Sequence, residues 1–149
     1  MPSPAFFLLP ISVALATTLV TILIHGAMVL LLVHFLALQR SRRIAGLDFW
    51  RDLRIVATVA VVALAAHLAE IVTWAVVLVT CGQVPLRALY RSAMIYTTLN
   101  YDTSWIASPW KLLGPLEAAD GMLMFGISTA LVFAVIERLL RLRFPEVYH

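Results

Sequence analysis

"GQVPLRALYRSAMIYTTLNYDTSWIASPWK", Gly82 to Lys111, separates two long apolar stretches and does not read as an ordinary loop. From Leu86 to Thr98 the spacing predicts a helix: Leu86, Leu89, Tyr90, Ala93, Met94 and Thr97 recur at i, i+3, i+4, with Arg87 and Arg91 opposite them. The segment is too short and too polar to cross a bilayer. It suits a half-helix that enters a membrane and turns back, which is tolerated where protein surrounds it. A polar, extended piece, YTTLNYDTSW (Tyr96 to Trp105), follows before the chain becomes apolar again.

The surroundings of this stretch favour a membrane. The 149-residue chain is 62% hydrophobic and 13% charged, whereas a soluble domain is closer to half apolar and a quarter charged. Three runs exceed the roughly 20 apolar residues that a bilayer core requires: Ile11 to Leu38, Ile55 to Cys81, and Leu112 to Leu140. Pro10 suits the start of the first, and Gly82 and Pro85 punctuate the end of the second. Basic residues set the orientation. Arg40, Arg42, Arg43, Arg51, Arg54, Arg138, Arg141 and Arg143 flank one side, against Arg87, Arg91 and Lys111 on the other. The first loop and the C-terminus are therefore expected in the cytoplasm and the N-terminus outside, in a cell inner (plasma) membrane. Trp74, Trp105 and Trp110 are expected at the outer interface, and Phe49 and Trp50 at the inner one. "LDFWRDLR" is expected as a short interfacial helix capped by Asp48. The N-terminus has no basic n-region or cleavage site, so a removable signal peptide is not expected. The basic residues lie in loops between spans, which argues against a nucleic-acid partner. A single cysteine, Cys81, excludes an intrachain disulfide.

Span, half-helix, polar strand, span is the order of a tetrameric cation pore. YTTLNYDTSW resembles the TTxGYGD filter signature of potassium channels. "WKLLGPLEAADGMLMFGISTALVFAVIERL", Trp110 to Leu139, and "AHLAEIVTWAVV" resemble the inner and outer helices of small bacterial two-transmembrane ion channels. The resemblance covers roughly Ile55 to Leu140. It implies an all-α membrane protein: three transmembrane helices plus a re-entrant pore half-helix, with residues 1–54 forming a first span and cytoplasmic loop and 55–149 a pore module. It also implies a homotetramer and a filter at Thr97, Thr98, Leu99, Asn100, Tyr101 and Asp102. Thr97, Thr98 and Tyr101 match the family's letters. Asn100 and Asp102 stand where the two filter glycines belong, and Thr103 where the aspartate belongs.

These exchanges have physical consequences. A potassium filter replaces the hydration shell with rings of carbonyls. Glycine supplies the positive φ this needs, while other residues pay about 1–2 kcal/mol; Asn and Asp are the least unwilling substitutes. Four Asp102 carboxylates near one axis would repel, and would relax by binding cations, by protonation or by widening the mouth. The expectation is a weakly selective or non-selective cation channel holding permeant monovalent or divalent cations and no other cofactor. The alternatives are a non-conducting or regulatory relative, and one subunit of a heteromeric channel.

Other polar residues in the spans fall into pairs. His67 and Glu70 share a face at i, i+3. They read as a pH-sensing pair or as a structural hydrogen bond to the half-helix, with Arg91 or Ser92 as partners. Glu117 and Asp120 read as filter support or as a cation-attracting vestibule. Gly121 and Gly126 suit a hinge or close helix packing, packing being the commoner use. Phe125, Ser128, Thr129 and Val132 fall near one face and are candidates for pore lining. His25 and His34, nine apart, face opposite ways and are not expected to share a metal. No zinc-ligand spacing, P-loop, nucleophile elbow or His-Glu-x-x-His motif occurs, so an enzyme is not expected.

Overall fold

The computed structural model describes residues 5–41, 48–99 and 110–144. They form four α-helices and one short 3-10 turn: α1 (Ala5–Ser41), α2 (Phe49–Thr80), α3 (Pro85–Tyr96), the turn Trp110–Leu112, and α4 (Leu113–Arg143). No strand occurs among the described residues. Three stretches are long and apolar enough to span a membrane: Leu8–Leu38, Phe49–Thr80 and Trp110–Arg143. The protein is thus an all-helical, multi-pass membrane protein.

Two boundaries differ from the sequence expectation. α1 begins before Pro10, which lies inside its second turn rather than at its start. The LDFWRDLR segment is not a separate helix. Asp48 caps α2 itself, accepting from the Trp50 amide at 3.4 Å, and the helix runs on without a break through Arg54 and Ile55. Phe49 and Trp50 remain exposed at this end.

α1 and α4 both run antiparallel to α2. Met28 and Leu32 of α1 pack with Ile55 and Val59 of α2 and with Val135 and Leu139 of α4 in one apolar cluster. Ala14, Trp74, Leu78, Ala88, Tyr96, Leu113 and Met124 form a second. α1 contributes a narrow stripe: Pro10, Ala14, Thr17, Thr21, His25, Met28 and Leu32 are its buried side chains, at i, i+3, i+4 spacing. At the arginine-rich end, Arg143 of α4 lies 3.7 Å from Asp52 of α2.

α2 and α3 are joined by a tight reversal. Gly82, at φ 92, turns the chain, and the amides of Gly82 and Gln83 bond back to the carbonyls of Val79 and Leu78. This closes α2 with the paired bonds of a Schellman cap. Pro85 then occupies the first turn of α3, where its missing N–H has no cost. α3 descends along α2: the Ser92 hydroxyl bonds to the Ile71 carbonyl at 2.8 Å, roughly 13 Å back from the Thr80 end at 1.5 Å per residue. Its packed side chains are Ala88, Ser92, Ile95 and Tyr96, whereas Leu86, Leu89 and Tyr90 are exposed.

Candidate functional site

A layer of polar side chains lies between the two apolar clusters, and all four helices contribute to it. Each polar residue occupies the buried stripe of its own helix, so helical periodicity delivers it inward.

Glu70 of α2 is at the centre and wholly buried. Its Oε1 is 2.8 Å from Nδ1 of His25 on α1. Its Oε2 is 3.2 Å from Nδ1 of His67, one turn away on α2, and accepts the hydroxyl of Tyr96 from α3. The Tyr96 oxygen is also 3.2 Å from His67 Nδ1. On the far side of the two imidazoles, Ser128 Oγ of α4 lies 3.2 Å from His25 Nε2 and 3.1 Å from His67 Nε2. His67 also stacks on Phe125, with ring centroids 4.3 Å apart.

Two further buried carboxylates, from α4, are braced nearby. Asp120 accepts the Trp74 indole N–H at 2.7 Å and contacts the Thr21 hydroxyl at 2.8 and 3.1 Å. Glu117 Oε1 is 2.5 Å from Ser92 Oγ, while its Oε2 is buried with no hydrogen-bond partner among the described residues. Gly121 allows this packing. A Cβ there would collide with the carbonyl oxygen of Tyr96, so α3 and α4 touch backbone to backbone. Gly126 faces open space.

The sequence-predicted residues fall into place unevenly. His67 and Glu70 meet, and α2 is tied to α3 through Tyr96 and Ser92. Arg91 is bonded instead to Gln83, at 2.5 Å. Glu117 and Asp120 are both buried and point at different partners. Phe125, Ser128, Thr129 and Val132 do line one groove of about 380 Å³, but its other wall is α2 of the same chain, with Ala60, Ala63, Leu64 and His67. Ser128 reaches through that groove to the histidines. Trp74, expected at an interface, is fully buried, because its indole N–H serves Asp120. Thr97 caps α3 and Thr98 follows at φ 63, while Leu99 is exposed. Asn100, Tyr101, Asp102, Thr103 and Trp105 lie outside the described residues.

Sequence reasoning missed Thr21, Tyr96 and the meeting of His25 with His67. The signal for the first was present: Thr17, Thr21 and His25 mark one face of an otherwise apolar helix. The meeting of the histidines depends on how two helices register in depth, which spacing within one helix does not reveal. No family model, no curated protein and no solved structure matches this chain.

Proposed function

We propose that the chain is one subunit of a homotetrameric cation channel, with Thr97 to Asp102 contributed by each subunit to a central pathway. The observation that carries this is the course of α3. It leaves the end of α2, descends beside it to the depth of Ile71, and ends in the segment bearing the filter-like letters. α4 then starts again near the end from which α3 began, with Glu117 bonded to Ser92. A helix that doubles back between two spans is the arrangement a re-entrant pore loop requires. Leu86, Leu89, Tyr90 and Leu99 are exposed on the isolated chain; neighbouring subunits or lipid would cover them.

Weak cation selectivity follows from Asn100 and Asp102 in place of glycines. Their carboxylate and amide oxygens are hard-cation ligands, and rings of acidic side chains select cations by charge rather than by carbonyl fit. Glu117 supports α3 from behind in this arrangement, Asp120 ties α2 to the first span, and the first span braces the module through His25 and Thr21. The same two substitutions favour a second reading, a non-conducting or regulatory relative.

Flux from purified protein in liposomes separates them. The expected result is uptake of potassium and sodium with little discrimination, shifted towards potassium by Asn100→Gly with Asp102→Gly. Silence in the wild type with flux in the double variant means a pore disabled at its filter. Silence in both, with the tetramer intact by native mass spectrometry, moves the assignment to the regulatory reading.

A further inference from the structure

Two imidazoles, a carboxylate and a phenol converge around Glu70. Both Nδ1 atoms face carboxylate oxygens, at 2.8 and 3.2 Å, and the His67 Nδ1 also adjoins the Tyr96 oxygen. Both Nε2 atoms face one hydroxyl, Ser128 Oγ, which has one hydrogen and two lone pairs.

We propose that His25, His67, Glu70 and Tyr96 form a binding site for a first-row transition-metal dication, such as zinc, that staples α1 to α2 and α3. One ligand atom from each of His25, His67 and Glu70 lies within 4.8 Å of the other two. The Tyr96 oxygen adjoins both Glu70 and His67. Four donors at about 2.0–2.1 Å from a tetrahedral metal are roughly 3.3 Å apart; the two contacts of His67 Nδ1, to Glu70 and Tyr96, are already 3.2 Å, while the Tyr96–Glu70 contact would have to open. Two imidazoles with carboxylate and phenol oxygens suit zinc, ferrous iron or copper better than magnesium or calcium.

The surroundings match what such a site needs. With both Nδ1 lone pairs on the metal, both imidazoles carry hydrogen on Nε2, and Ser128 Oγ has two lone pairs to receive them. One serine thereby fixes both rings, the orienting role that outer partners play at metal sites. His67 and Ser128 also line the groove between α2 and α4. All four donors come from buried residues, with no position left open for substrate. The site is therefore structural, holding the first span to the rest of the bundle, and it does not depend on whether the protein conducts ions.

The test uses the full-length protein in detergent, stripped with chelator and titrated with Co(II), with Zn(II) in competition. The expected result is one Co(II) per chain with the visible absorption of a four-coordinate centre, displaced by zinc. His25→Ala or His67→Ala abolishes that absorption, Ser128→Ala weakens affinity by about 10–100-fold, and His34→Ala leaves it unchanged. Should the histidine variants fail to fold, imidazole ¹⁵N spectra of the wild-type protein decide. Zinc should shift Nδ1 of two of the four histidines. No stoichiometric binding, or binding that shifts only other imidazoles, overturns the proposal.

Discussion

Thr98 occupies a position that the preceding helix fills with glycine. α2 is capped by Cys81 with Gly82 in the left-handed region, and α3 by Thr97 with Thr98 at φ 63. The bonds correspond one for one: Thr98 and Leu99 donate to Ile95 and Met94 as Gly82 and Gln83 donate to Val79 and Leu78. A β-branched residue in that region is a true outlier, and such strain persists only where the surroundings enforce it. Thr98→Gly should therefore stabilise the protein, by up to about 1 kcal/mol after the added unfolded-state entropy of glycine. Gly82→Ala should cost about as much. Thermal unfolding in detergent measures both. Glu117 is the second residue with a particular consequence. Ser92 has one hydroxyl hydrogen and two acceptors within reach, and Glu117 Oε2 has no partner among the described residues. A neutral amide fits that setting as well as an acid does. Glu117→Gln should stay within about 1 kcal/mol of wild type, whereas Glu117→Ala, which strands Ser92 and opens a cavity, should lose roughly 2–4 kcal/mol. Equal losses in the two variants would mean that Glu117 is held as a buried anion.

At the scale of helices, the contact between α3 and α4 turns on Gly121. Gly121→Ala would push the two backbones apart and should cost roughly 1–3 kcal/mol. Gly126→Ala, into open space, should be neutral or stabilising by up to about 1 kcal/mol. Melting temperatures of the two variants check the contrast. The helices themselves were legible in the sequence because each span is a predominantly apolar run longer than a bilayer needs. Their inward faces were less so. In α3 the apolar residues Leu86, Leu89 and Tyr90 point outward while Ala88 and Ser92 pack inward. Lipid is as apolar as leucine, so small and polar residues gain more from helix contact. The same rule hid the role of Ser128, which looks like a cavity residue by position and serves the histidines by contact. Asp48 was legible as a cap, but the continuity of α2 through Arg54 was not, since arginines near a helix end also mark an interface.

For the whole molecule, the first span is not an accessory to residues 55–149. His25 Nδ1 lies 2.8 Å from Glu70, and Thr21 contacts Asp120. Removing α1 would leave both acids buried with fewer partners, and breaking such a contact costs several kcal/mol. A chain starting at residue 42 should not yield folded protein, and co-expression of residues 1–41 as a separate span should restore it, measured as monodisperse recovery after size exclusion. Folded recovery of the truncated chain alone would show that the two parts are independent.

The polar layer also has a consequence for biogenesis. An acidic residue at the middle of a span resists entry into the bilayer by about 2.5–3.5 kcal/mol on insertion scales. Glu70 leaves the ribosome before Tyr96 and Ser128 exist, and Asp120 comes after every one of its partners. α1, with no acid or base between Leu8 and Leu38 except its two histidines, enters first and holds Thr21 and His25 in place. The order of synthesis thus presents each acid to a membrane that already contains part of its hydrogen-bonding shell, and the N-terminal helix acts as a template for the insertion of those that follow.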